Sequence, residues 1–363
     1  MKAIIWIACA ALGCANVTSS KEIIFRGASD ASAAVAVSED TLIVADDENN
    51  VLRLYSVTEP GLPVSSYDMT AFLDIDPEYP EADIEGATRI GRRIYWITSH
   101  GRNKDGKLRP GRYRFFATDV DVEKEQDTIR PAGKPYKTLV HALLKTKVVS
   151  DLGLDKATQL DAADLKKKDR EKLAPKEEGL NIEGLCASAD GKTLYIGLRN
   201  PRPKNGLTRR NEAIVIPLSN PDRIVEISET PTFGEPMLWD LGGLGIRSME
   251  YSTFHKAYFI IAGGPDDDDE GGFVLYRWLG KSDENPARVR KLDTGQSQFN
   301  PEAMVPFAGS SRLLLLSDDG SLLIKVAGPH ECMKDEYRND GTCPNKFLLD
   351  PNKKTFRALW LVP

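Results

Sequence analysis

The sequence is poor in the residues that carry most ligand and redox chemistry. It has five cysteines and four histidines in 363 residues. None of them falls in a CxxC or HxxxH spacing, so no structural zinc site is encoded. No GxSxG turn, Walker loop or Rossmann glycine pattern stands at a strand-to-helix junction. Positive charge is not in excess: 48 Lys and Arg against 54 Asp and Glu leave a net charge of −6 and a pI near 5.5. A basic nucleic-acid surface is disfavoured, and no DNA- or RNA-binding motif is present. Long apolar runs are missing after the extreme N-terminus, and mean hydropathy is −0.35, which excludes a bundle of membrane spans. What remains is an ordinary globular composition, 41% hydrophobic and 28% charged, with 29 Gly and 22 Pro.

The one apolar run, Ala3 to Gly13, follows Met1-Lys2 and is too short to span a bilayer. It reads as a signal peptide over residues 1–15. Gly13-Cys14-Ala15 suits cleavage after Ala15; Ala11-Leu12-Gly13-Cys14 also fits a lipobox that would lipidate Cys14. Either reading sends the mature chain out of the cytoplasm, periplasmic or secreted, with no membrane span beyond a lipid anchor at Cys14. Cys332 and Cys343 flank a polar, Gly-containing loop and are expected to form a disulfide there. Cys186 lies in an apolar strand pattern and reads as a buried thiol.

The rest, residues 22–363, reads as one domain built on a hidden repeat. Asp83-Ile84-Glu85-Gly86 precedes the strand Arg93 to Thr98, and Asn181-Ile182-Glu183-Gly184 precedes Thr193 to Gly197. Ser248-Met249-Glu250 precedes Ala257 to Ile261, and Asn300-Pro301-Glu302 precedes Arg312 to Leu316. A degenerate copy, Asp30-Ala31-Ser32, precedes Thr41 to Ala45. Third strands follow at Val51 to Val57, Tyr113 to Val120, Ala213 to Leu218 and Phe273 to Trp278. Fourth strands are expected at Arg223 to Ser228, or the later Met237 to Leu241, and at Ala287 to Leu292. Radial repetition of four-stranded units implies an all-β fold, a β-propeller of five blades. Six is the alternative if a degenerate blade hides between Tyr136 and Gly179. The last unit lacks a fourth strand, and Glu22 to Arg26 is expected to pair with the C-terminal strand and close the ring. The segment at about 137–179 breaks the rhythm and reads as a helical insertion.

In a propeller the first strand of each blade lines the central channel. Asp30, Asp83, Asn181, Ser248 and Asn300 then form one tier, and Ser32, Glu85, Glu183, Glu250 and Glu302 form a second, two residues on. So many carboxyls cannot all ionise side by side without compensation. A cation can bind them, and oxygen donors from carboxylates and Asn suit calcium, with magnesium less apt. Some carboxyls can stay protonated, or arginines can pair with them; Arg247 and Arg199 are the candidates. The plain alternative is that these side chains join neighbouring blades through backbone hydrogen bonds. The metal set is therefore Asp83, Glu85, Asn181, Glu183, Glu250, Asn300 and Glu302. The second-strand ends add a rim: Asp46, Asp47 and Glu48; His100 and Arg102; Arg199, Arg202 and Lys204; Asp266 to Glu270; Asp318 and Asp319. Arg102, Arg199, Arg202, Arg247 and Asp318 are the ligand-binding candidates, and His100, Arg199 and Glu183 the catalytic ones. For His100 a plain hydrogen-bonded role is the alternative, and for the Asp266 to Glu270 run a solvated loop.

Three of these segments resemble the bacterial family called domain of unknown function 3616. They are Asn181-Ile182-Glu183-Gly184-Leu185 with Leu194 to Arg199, Gly245-Ile246-Arg247-Ser248-Met249-Glu250, and Asn300-Pro301-Glu302-Ala303 with Leu315 to Gly320. The resemblance runs from about Ile24 to Leu361 and implies an exported bacterial propeller without implying a reaction. Glu183-Gly184-Leu185 followed by Asp190 to Tyr195 also looks like one blade motif of phytase-like and esterase-like propellers, and lactonase-type propellers are similar to the same degree. Those likenesses would imply a calcium-supported hydrolase. Two readings follow. One is a binding or interaction scaffold with a ligand or cation site at the channel mouth, for a small molecule or a cell-envelope partner. The other is a calcium-assisted hydrolase of a phosphoester, ester or lactone. Whether the protein is an enzyme stays open at this point.

Overall fold

The computed structural model describes residues 22–121, 128–149, 151–162, 165–208, 210–264, 272–293 and 298–363. The leader with Cys14, and the Asp266 to Glu270 run, lie outside the described residues. Five four-stranded antiparallel sheets form a ring, so the fold is a five-bladed β-propeller. From the channel outwards, the first blade runs Ala33–Ala36, Thr41–Ala45, Val51–Ser56 and Ser65–Asp68. The second runs Ile84–Ile90, Arg93–Thr98, Phe115–Asp121 and Thr128–Tyr136. The third runs Asn181–Ala187, Leu194–Asn200, Ala213–Leu218 and Met237–Trp239. The fourth runs Gly245–Ser252, Ala257–Gly263, Val274–Trp278 and Ala287–Lys291. The fifth runs Pro301–Pro306, Leu313–Ser317, Thr355–Leu361 and, last, the N-terminal strand Ile23–Arg26. Each innermost strand packs against those of the two neighbouring blades.

The ring closes as the spare N-terminal strand suggests: Ile23 pairs with Ala358 and Arg26 with Thr355. Closure removes two open sheet edges at once. Phe25 stacks on Phe356 at 5.0 Å, and Tyr55 of the first blade meets both rings edge-on. A buried ion pair locks the same junction. The Arg357 Nε donates to Asp319 Oδ2 at 2.8 Å and its Nη2 to Oδ1 at 2.7 Å. The amide of Asp319 donates to the Ser29 carbonyl at 3.0 Å, which ties the clasp to the start of blade one.

Two alternatives are resolved. Arg223 to Ser228 is not a strand; Pro221–Ile227 is a helix, with Pro at its start and Ile224 and Val225 packed inward. Met237–Trp239 is the fourth strand of that blade. Among the described residues no sixth blade lies between Tyr136 and Gly179, where short helices stand at Leu139–Leu144, Leu154–Thr158 and Lys167–Glu171. Leu139, Val140, Leu143 and Leu154 of this insertion join the apolar layer between the second and third blades. Cys332 and Cys343 form the expected disulfide, in an insertion within blade five that also holds the small ribbon of Leu323–Lys325 with Thr342–Pro344. Among the described residues no helix is long and apolar enough to cross a membrane.

Removing one partner of a buried ion pair strands the other. Arg357→Met is expected to lower stability by about 3 kcal/mol, read from urea unfolding at pH 7. An unchanged midpoint would show that the clasp does not hold the ring.

Candidate functional site

The channel is organised by a repeated β-bulge, an extra residue inserted on the inner strand. In the second blade Ile84 faces Thr98 and Gly86 faces Ile97, which leaves Glu85 unpaired. The same skip isolates Glu183, between Ile182 and Gly184, and Glu302, between Pro301 and Ala303. A bulge re-aims the side chain it carries, here towards the axis. Neighbouring blades come close at this level. A Cβ on Gly184 would lie 2.9 Å from the Ile246 methyl, so the residue after the axial glutamate has to be small.

In the fourth blade the skipped residue is Arg247, between Ile246 and Ser248. The copy Ser248-Met249-Glu250 is therefore misframed by three residues. Gly245-Ile246-Arg247-Ser248 is the equivalent of Asn181-Ile182-Glu183-Gly184, and Glu250 lies three positions further down the strand. The usable signal was the isoleucine followed by any residue and a small one. Blade one has no bulge; its Ser32 hydroxyl reaches the Ile84 carbonyl at 2.6 Å and the Ala45 carbonyl at 3.2 Å.

This substitution of sign decides the channel electrostatics. The Arg247 side chain is fully buried. Its Nη1 donates to Glu183 Oε2 at 3.1 Å and its Nη2 pairs with Glu302 at 3.2 Å. Glu183 also accepts from Arg199 Nη1 and from Asn181 Nδ2, each at 2.7 Å. Two of the three axial glutamates are thus held by arginines. Glu85 is the remaining one, and its carboxyl is pushed well above the usual range by burial, then by Asp83, Glu183, Asp47 and Glu302. The channel between these residues is a cavity of about 10 Å³, room for about one water.

At the mouth, where the inner strands begin, acidic groups crowd together. Asp30, Asp46 and Asp47 each place an oxygen within 4.8 Å of the others, and so do Asp47, Asp83 and Glu85. Asp47 belongs to both sets. Its Oδ1 is buried and has no hydrogen-bond partner among the described residues. Burial first, and then acidic neighbours, raise Asp30 and Asp47 well above the ordinary carboxyl range. Burial also raises Asp46, against the pull of Arg53 and of amide hydrogen bonds from Ser29 and Glu48. Positive charge at this mouth is sparse. Arg112 pairs with Asp83 at 2.9 Å and with Glu81, and Lys346 pairs with Glu48 at 2.7 Å.

The expected site residues therefore separate. Asp83 and Glu85 join the acidic mouth, and Asp318 flanks it, its carboxyl and that of Asp30 both accepting from the Gly320 amide. Asp30 and Asp47 are central there, although sequence reasoning left them in the tier and on the rim; adjacent aspartates at a second-strand end were the available signal. Asn181 supports Glu183, and Asn300 uses its backbone, its amide donating to Ser317 Oγ at 2.9 Å. Glu250 stands at the far end of the channel. Arg102 donates to the carbonyls of Gly106, Thr158 and Gln159 and clamps the helical insertion. Arg202 donates to Asn200 Oδ1 and to the Gly243 carbonyl. His100 is sealed rather than presented at the mouth: it is 0% exposed, with Nδ1 2.9 Å from the Thr98 carbonyl and its ring edge-on to Tyr113. Burial lowers its pKa to about 4, against the Thr98 hydrogen bond.

The sequence matches the family model described as "Protein of unknown function (DUF3616)" over residues 30–318. The chain belongs to that family. No curated protein matches the sequence. Solved structures with a similar course include the β-propeller domain of Cps50 (Swd1) from Myceliophteria thermophila, 11% identical over 94% of this chain and 100% of that one, TM-score 0.34. Glutaminyl cyclase from Myxococcus xanthus is 10% identical over 82% of this chain and 89% of its own, TM-score 0.40. The PQQ-bound aldose sugar dehydrogenase from Streptomyces coelicolor is 9% identical over 94% of this chain and 99% of its own, TM-score 0.38. At these identities the activities of those proteins do not carry over.

Two outcomes follow from this geometry. Arg247→Met is expected to destabilise the protein by about 3 kcal/mol, because two buried glutamates lose their counter-charge. Adding Glu302→Gln to that variant should recover part of the loss, about 1 kcal/mol in a double-mutant cycle by urea unfolding; strict additivity would refute the bridge. The second concerns His100, whose lowered pKa makes the folded state resist protonation. Its contribution is complete above about 6.5 and is lost as pH falls towards 4. Wild type should lose about 2 kcal/mol more than His100→Gln between pH 7 and pH 5, both read by urea unfolding.

Proposed function

We propose that this protein is an exported, cation-dependent binding propeller. Calcium at the channel mouth would be held by Asp30, Asp46, Asp47, Asp83 and Glu85. The observation that carries this reading is Asp47, shared by two acidic triplets and holding a buried oxygen with no partner among the described residues. Left alone, such carboxyls have to bind protons; a hard dication supplies the compensation they lack. The donor set fits calcium, being all oxygen and several carboxylates deep. A calcium ion there keeps coordination positions for a ligand oxygen, from a carboxylate, phosphate or hydroxyl group. Arg112 and Lys346 stand beside the cluster as cationic contacts for the rest of such a ligand.

The hydrolase reading is less well supported. His100 is sealed away, and Glu183 and Arg199 are committed to each other in the channel. The catalytic set expected from the sequence is thus not assembled around the acidic mouth. Export rests on the leader pattern, and the Cys332–Cys343 disulfide is compatible with it.

Calcium at about 100 times its dissociation constant is expected to stabilise the chelated protein by about 2.7 kcal/mol, which is about 4 °C in Tm for a chain of this size. Asp47→Asn should abolish the rise, and magnesium should give less of it. No shift in wild type would remove the cation from this reading. Mass spectrometry of the mature chain tests export separately: the expected N-terminus is Asn16, or a lipid-bearing Cys14, and a retained Met1 would contradict it.

A further inference from the structure

The other end of the channel holds a second cavity, of about 300 Å³. It lies where the inner strands finish, opposite the acidic mouth. Every blade contributes to it: Val35 from the first, Thr88 from the second, Ala187 from the third, Glu250 and Tyr251 from the fourth, Pro306 from the fifth. Its size is at the lower end for a small-molecule site, and a channel mouth is a usual place for one. The walls are mixed: Val35, Ile90 and Pro306 are aliphatic, and Thr88, Ser188 and Thr253 are polar.

Two charged residues line it. Arg89 spends its guanidinium on the backbone, donating to the carbonyls of Gly91 at 2.7 Å, Ala36 at 3.2 Å and Val37. It staples the first blade to the second. Glu250 is different. Among the described residues it enters no ion pair and belongs to neither acidic triplet spaced for a metal. Burial raises its carboxyl, with only the Tyr251 amide bond working against that. A divalent ion would lack a donor set here, and an anion would meet an acidic group. A single positive charge with an apolar body matches both the acid and the walls. The apolar side of the cavity keeps part of the screening water away from the pairing.

We propose that this cavity binds a small organic ammonium ion, with its charged nitrogen on the Glu250 carboxylate and its apolar body against Val35, Ala187 and Pro306. The site is separate from the proposed calcium site and stands whether or not that one binds a cation.

The test uses the full mature chain and two probes of equal shape, benzylammonium chloride and benzyl alcohol, followed by calorimetry and by methyl NMR. Benzylammonium is expected to bind wild type and to bind Glu250→Gln at least tenfold more weakly, while benzyl alcohol binds the two alike. The methyl signals of Val35 and Ala187 should move during the benzylammonium titration of wild type, a readout that needs no variant. Equal benzyl alcohol affinity in the two proteins shows that the cavity of Glu250→Gln is intact. Absence of benzylammonium binding, equal affinity in the variant, or methyl shifts confined to other regions would overturn the proposal.

Discussion

The structure depends on charge balance along one narrow axis. A ring of five similar blades brings the same strand position to the centre five times. Where that position is glutamate, the repeat itself creates repulsion in a space that holds about one water. Arg247 breaks the pattern at one blade and reaches Glu183 and Glu302 on the two sides of it. Arg199 adds a second positive charge from the neighbouring strand. The inner strands can then approach closely enough for the glycines after the glutamates to be required.

The same arithmetic gives the channel two unlike ends. Both arginines serve the sector of blades three to five. Blades one and two carry Asp30, Asp46, Asp47, Asp83 and Glu85, with Arg112 as the direct arginine partner of Asp83. Uncompensated negative charge therefore collects at one mouth and on one side of it. At the other end Glu250 lines a cavity to which all five blades contribute. Pseudo-symmetry of the backbone coexists with a strong asymmetry of chemistry, and it is the asymmetry that distinguishes places for ligands.

Much of the architecture was legible from strand patterns. Five pairs of a polar opening followed by an apolar strand gave the blade number, and the orphan strand at Ile23–Arg26 gave the closure. Local chemistry hid the rest. Arg223 to Ser228 is apolar enough on one side to pass for a strand, but Pro221 and the inward pair Ile224 and Val225 favour a helix. The frame of the fourth blade was lost because Arg247 stands where the other bulges carry glutamate, and Ser248-Met249-Glu250 imitates the motif three residues on. The acidic mouth was only half visible. Asp83 and Glu85 sit inside the motif, whereas Asp46 and Asp47 come from a second strand's end and meet them only in three dimensions. Glu81 and Arg112 lie outside any repeat, and nothing in their spacing marks them.

The closing strand has a consequence for how the chain reaches this state. Ile23 finds its partner at Ala358. The earliest strand to leave the ribosome must wait for almost the last one before the sheet that contains both can exist. Such long-range pairing makes folding slow, because loop entropy is lost before the contacts compensate it. Four blades can form from local hairpins while synthesis continues, but the fifth stays incomplete until the Thr355–Leu361 strand appears. For that interval the Thr355–Leu361 position is an unfilled edge, and the nascent ring is open at a single defined seam.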